Sequence, residues 1–142
     1  LDLYCGAGAF SLTACADARK VVGIDISSNA ISCANAATLR NGRNNAQFLC
    51  RGIDQFTVDE LAAYNFDTVI CNPPRRGLDQ ASVTLIQMLH PRDVVYSSCN
   101  PVTLQRDVQL LAPGYRLDHL QPFDMFPFTQ HFEVLALLRY QG

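Results

Sequence analysis

The chain has 142 residues, 49% of them hydrophobic and 17% charged, with a formal net charge of −2. That length suits one domain with its own core, and the composition excludes a disordered or fibrous chain. No apolar run approaches the roughly 20 residues of a membrane span, and no signal-peptide pattern opens the chain; the slight acidic balance does not exclude nucleic acid, because basic surface can sit on a separate domain.

Strand and helix signals alternate along most of the chain. Leu1–Tyr4 is a short apolar run that ends in Cys5-Gly6-Ala7-Gly8. The pattern then predicts a helix over Phe10–Ala18 and a buried strand over Val21–Asp25. A second helix is capped by Ser27 or Ser28, turns Ala30, Ile31, Ala34 and Thr38 inward, and stops at Gly42. Gln47–Cys50 reads as a strand, Val58–Tyr64 as a short helix, and Phe66–Cys71 as a strand stopped by Asn72-Pro73-Pro74. Ala81–Leu89 reads as a helix and Asp93–Ser97 as a strand. Asn100 caps the next helix with Pro101 at its first position, and Leu104, Val108 and Leu111 face inward. Tyr115–Pro122 and Phe132–Tyr140 are strand-like runs with no helix between them, expected as an antiparallel pair at one edge. The expected fold is therefore α/β, Rossmann-like, with a mostly parallel sheet and an antiparallel C-terminal pair.

Ligands in such sheets bind at the carboxyl ends of the strands. Gly6 and Gly8 follow the first strand and allow close backbone approach, Asp25 ends the second strand, where an acid can accept ribose hydroxyls, and Asn72 ends the fourth. The third glycine of a dinucleotide fingerprint is missing; Ser11 stands there. With Asp25 and Asn72, this favours S-adenosylmethionine over a dinucleotide. The Asn72-Pro73-Pro74 turn is followed by Arg75, not by the aromatic residue that amino-group methyltransferases place there. The six cysteines, Cys5, Cys15, Cys33, Cys50, Cys71 and Cys99, form no C-x-x-C pair, so no metal site or redox motif is expected, and the pattern fits a reducing cytoplasm. Cys99 stands at a strand exit just before a helix N-terminus, a setting that favours a thiolate nucleophile; the other five read as buried structural cysteines. Glu133, between Phe132 and Val134, is a carboxylate in apolar company, which suits a proton acceptor. His131 reads as a structural hydrogen-bonding residue, Phe126 and Phe128 as packing residues, and Arg75, Arg76 and Arg106 as phosphate holders or solvated charges.

The segments Asp2–Leu12 (DLYCGAGAFSL), Asn72–Asp79 (NPPRRGLD), Tyr96–Asp107 (YSSCNPVTLQRD) and Phe123–Glu133 (FDMFPFTQHFE) together resemble the bacterial RNA (uracil-C5) methyltransferases of tRNA and 23S ribosomal RNA. The resemblance implies Cys99 as nucleophile, Glu133 as general base, and Tyr4, Asp25 and Asn72 as cofactor contacts beside Gly6 and Gly8. It implies S-adenosylmethionine as methyl donor, S-adenosylhomocysteine as product, and RNA as partner, with Asn72 and FDMFP tilting toward ribosomal RNA. Residues 1–142 would be the catalytic domain. An upstream region would carry an RNA-binding barrel, a cofactor-touching glutamine and iron–sulfur cysteines, so no cluster is expected in this chain, and the isolated domain should have poor or absent activity. Rival readings are an amino-group methyltransferase using Asn72-Pro73-Pro74, a non-catalytic RNA-binding domain of Rossmann-like form, and a nicotinamide oxidoreductase.

Overall fold

The computed structural model describes residues 1–125, 127–130 and 132–142. The chain divides into two compact units, Leu1–Thr57 and Val58–Gly142.

The first unit opens with β1 (Asp2–Leu3), α1 (Ala9–Ala14), β2 (Val21–Asp25), α2 (Ser28–Arg40) and β3 (Ala46–Cys50), and a 3₁₀ turn at Ile53–Gln55 follows. Its strands lie in the order β3-β2-β1 and run parallel, with Asp2 opposite Gly23 and Val21 opposite Ala46. Burial of Val21, Val22, Gly23 and Ile24 explains the unbroken apolar run, since a parallel strand covered on both faces needs no polar alternation. Ser27 caps α2 by accepting the Ala30 N–H at 3.3 Å, and Ile31, Ala34 and Thr38 form its buried face, as expected. Ala30 is only half-buried.

α1 is shorter than the predicted Phe10–Ala18. Its end is set from outside the helix: Asn45 Nδ2 donates to the carbonyls of Cys15 at 2.9 Å and Ala18 at 2.8 Å, so the chain turns away after Ala14.

The second unit contains α3 (Val58–Ala62), β4 (Thr68–Cys71), α4 (Gln80–Leu89), β5 (Asp93–Ser98), α5 (Pro101–Leu111), β6 (Tyr115–Phe123) and β7 (Glu133–Tyr140). Its strands lie in the order β4-β5-β7-β6. β4 and β5 are parallel, whereas β7 runs antiparallel to both β5 and β6, which gives the expected antiparallel C-terminal pair. Alternating burial along β5 and β7 puts Val94, Tyr96 and Ser98 with Leu138, Ala136 and Val134 on one covered face. Asn100 caps α5 by accepting the Val102 N–H at 3.1 Å, with Pro101 next to it as predicted. No described helix is long and apolar enough to cross a membrane.

Candidate active site

In the first unit the structure brings the glycine turn and Asp25 together. Tyr4, Gly6 and Gly8 all have positive φ (60°, 53° and 83°), so the chain coils tightly as it leaves β1. The Asp25 carboxylate fixes that coil: Oδ2 accepts the Gly6 N–H at 2.9 Å and Oδ1 accepts the Ser27 N–H at 2.8 Å. The glycines do different work. A Cβ on Gly8 would lie 3.0 Å from Phe48 Cζ and 3.1 Å from the Ala34 Cβ, so Gly8 backs onto the core. A Cβ on Gly6 would meet nothing within 4 Å, so that side of the turn is open to a ligand. An open, backbone-lined turn beside an oriented carboxylate with spare lone pairs fits a nucleoside bearing ribose hydroxyls.

Ser11, at the position of the missing glycine, is fully buried and donates its hydroxyl to Asp2 Oδ2 at 2.6 Å. Burial raises the Asp2 carboxyl above the usual carboxylate range, and the Ser11 bond opposes that rise. Cys5, next to Gly6, is buried against Phe48, Ile31 and Ala34, and burial pushes its thiol up to about 12.

In the second unit the register brings segments far apart in sequence side by side. β5 and β7 pair Ser97 with Leu135 and Ser98 with Val134. Cys99 directly follows β5 and Glu133 opens β7, so both stand at the same end of this strand pair. Cys99 and Glu133 are both half-buried, so neither is sealed in the core.

Asn72 follows β4 directly; it is exposed, while Pro73 beside it is buried. Arg75 and Arg76 are exposed, and the loop reaches the Cys99 turn through its backbone: Asn100 Nδ2 donates to the Arg75 carbonyl at 3.0 Å. Arg106, offered by the sequence as a phosphate holder, binds protein instead, donating to Asp107 at 2.6 Å and to the Arg76 carbonyl at 2.9 Å. Asp107, fully buried on α5, was missed by sequence reasoning; an acid amid the helix's apolar spacing was the available signal.

Other expectations need correction. Cys33 and Cys50 are exposed, not buried: Cys33 lies off the inner face of α2, and Cys50 ends β3, the edge strand of its unit. Cys5, Cys15 and Cys71 are buried as expected. Phe128 is fully exposed with φ 68°, so it does not pack. Phe126 and His131 lie outside the described residues.

Residues 1–141 match the model of a family described as tRNA (Uracil-5-)-methyltransferase. The chain is 41% identical over 137 residues to the 23S rRNA (uracil(747)-C(5))-methyltransferase RlmC of Shewanella baltica (strain OS185), covering 96% of the chain and 35% of that relative. The protein of the same name from Vibrio vulnificus (strain YJ016) is also 41% identical, with 96% and 36% covered. Among solved structures, the Pyrococcus abyssi tRNA (uracil-54, C5)-methyltransferase in complex with S-adenosyl-L-homocysteine superposes with a TM-score of 0.86 at 36% identity, over 96% of the chain and 33% of that structure. The chain thus spans about a third of the length of the curated relatives it matches. The fold is the Rossmann-like α/β fold of the class I methyltransferases, and the chain belongs to the tRNA (uracil-5-)-methyltransferase family.

Proposed function

We propose that this chain is the catalytic domain of an RNA (uracil-C5) methyltransferase that acts on 23S ribosomal RNA in the cytoplasm with S-adenosylmethionine as methyl donor. What supports this reading is a half-buried cysteine just beyond β5 and a half-buried carboxylate at the start of the neighbouring β7, in a chain of this family.

Tyr4, Gly6, Gly8 and Asp25 of the first unit are the residues that would hold the cofactor, with Asp25 accepting ribose hydroxyls. When bound, the cofactor supplies an electrophilic methyl group on sulfonium. C5 of uracil is a weak nucleophile, so its electron density must rise before it can take that methyl. The Cys99 thiolate does this by adding to C6, which makes C5 enolate-like. C5 then forms its bond to the methyl carbon as the bond from that carbon to sulfur breaks, its electron pair staying on sulfur as the neutral thioether of S-adenosylhomocysteine. Glu133 removes the remaining C5 proton, the electrons of that C–H bond restore the C5–C6 double bond, and the Cys99 sulfur leaves from C6. The target base must leave its stack to reach the thiol.

Ribosomal RNA is favoured by the named substrate of the 41% identical relatives. A tRNA substrate is the second reading, favoured by the 36% identical Pyrococcus abyssi structure. Methyl transfer to unmodified 23S ribosomal RNA fragments and to unmodified tRNA, assayed side by side with the full-length protein, separates them. In the same assay Cys99→Ala should abolish turnover. Glu133→Gln should lower it by roughly 10²–10⁴-fold and let a covalent protein–RNA adduct accumulate. Full activity in Cys99→Ala, or no adduct from Glu133→Gln with an active parent enzyme, would sink the scheme.

A further inference from the structure

The loop after β4 and the first turns of α5 are joined by side chains that the chemistry above leaves unused. Asp107 is the hub. Its Oδ2 accepts the Leu78 N–H at 2.7 Å and the Tyr96 hydroxyl at 2.7 Å. Its Oδ1 accepts Arg106 Nε at 2.8 Å and Nη2 at 2.6 Å. The same Arg106 Nη2 also donates to the carbonyls of Arg76 at 2.9 Å and Leu78 at 3.2 Å. The loop is threaded tightly through this joint: Gly77 has φ 80°, and a Cβ there would run into Asp107 Oδ2.

Nearer to Cys99 the same loop is tied again. The Arg75 carbonyl accepts Asn100 Nδ2 at 3.0 Å and Thr103 Oγ1 at 3.2 Å. Asn100 is held from the other side as well, since its N–H donates to Ser98 Oγ at 3.1 Å. Cys99 therefore sits between two residues whose positions are fixed by directional bonds. Only the Asp107 carboxylate is buried, the Arg106 side chain being half-exposed, and an ion pair reaching the surface is a weak source of stability. What such a pair supplies is a unique geometry.

We propose that Arg106 and Asp107 are positioning residues for Cys99. They clamp the backbone of Arg75–Leu78, the clamped loop holds Asn100, and Asn100 fixes the turn that presents the thiol at the end of β5. The inference rests on the reading of Cys99 as nucleophile. A preset geometry acts on the rate of the bound complex, because a thiol that is already placed needs no reorganisation before it adds to C6. In this role neither residue touches RNA or cofactor, and Asn72 is placed by β4 and buried Pro73 instead.

The test measures kcat, both half-saturation concentrations and the melting temperature of the full-length protein carrying Arg106→Gln, Arg106→Lys or Asn100→Asp. The Arg106 side chain is half-exposed, so its replacement leaves the core packing in place. Asn100→Asp keeps the helix cap, removes the donor to Arg75 and sets a negative charge against that carbonyl, so it breaks the same chain of contacts if Arg106→Gln does not fold. Either variant should lower kcat at least tenfold, at temperatures where the protein is folded, with half-saturation for RNA and for S-adenosylmethionine within twofold of the parent. Arg106→Lys should recover part of the loss, because an ammonium still reaches the carboxylate. An unchanged kcat in the folded variants, or a loss confined to half-saturation, would overturn the proposal. Cys99→Ala runs alongside: if it keeps turnover, the nucleophile reading fails and the proposal fails with it. If it is inactive while the clamp variants match the parent, only the clamp is wrong.

Discussion

Tyr96 is the largest of the fully buried side chains, and its hydroxyl donates to Asp107 Oδ2 at 2.7 Å. Burial, the hydrogen bond to Asp107 and that group's negative charge all push the phenol far above its ordinary range, so it stays a donor at any pH where the protein is folded. Tyr96→Phe keeps the ring and removes the donor. Asp107 then remains in the core with the Leu78 N–H and Arg106, one bond short. The expected cost is about 1.5–3 kcal/mol, the range for hydrogen bonds to a charged group, read as a lower unfolding free energy in urea with an unchanged slope. Equal stability of the two proteins would mean that the carboxylate finds another partner. Ser11 shows the same logic elsewhere: a hydroxyl replaces the third glycine of the turn and serves the buried carboxyl of Asp2.

At the scale of elements, what was legible in the sequence was local. Ser27, Asn100 and Pro101 cap helices where the capping chemistry says they should, and the apolar runs mark β2 and β5 within a residue. What was not legible depends on partners distant in the chain. The early end of α1 is written in Asn45, and the burial of Asp107 is written in Leu78 and Tyr96. That Cys99 and Glu133 come to the same end of neighbouring strands depends on strand pairing, which local patterning does not carry. The glycine turn belongs to the same class, since its shape depends on what lies beneath. Phe48 packs under both Gly8 and Gly23; a Cβ on Gly23 would lie 2.6 Å from Phe48 Cδ1 and 3.0 Å from Cys5 Sγ. Gly23→Ala should therefore overpack the first unit by about 1–3 kcal/mol. The strain should reach the turn through Cys5, so calorimetry should also show weaker S-adenosylhomocysteine binding. A variant as stable as the parent, with unchanged binding, would show that Phe48 can move aside freely.

Over the whole molecule, buried acids that stay neutral link stability to alkaline pH. Cys5 in the first unit, with its thiol at about 12, and Tyr96 and Tyr115 in the second are all raised, with burial as the largest cause. The unfolded chain has no such protection, and its thiols and phenols ionise from about pH 8.5 and 10 respectively. Between those values and the raised native ones, the unfolded state binds fewer protons than the folded state. The contribution of these groups is thus complete below about pH 8.5 and is lost as pH rises toward the native values. Each group held protonated only in the folded state lowers stability by about 1.4 kcal/mol per pH unit in that window. The growing negative charge of a chain already at −2 at pH 7 pushes the same way. Urea unfolding at pH 8, 9, 10 and 11 should show falling stability, steepest above pH 10, where the tyrosines join Cys5. Cys5→Ala removes one of these protons, so its slope between pH 9 and 11 should be shallower than that of the parent by about one proton, even though the variant starts from lower stability. Absorbance of tyrosinate near 295 nm supplies the matching signal from the second unit: Tyr96 and Tyr115 should ionise together with unfolding and not before it. Tyrosinate appearing in the still-folded protein would mean that water reaches these phenols, and the alkaline limit would then belong to net charge alone.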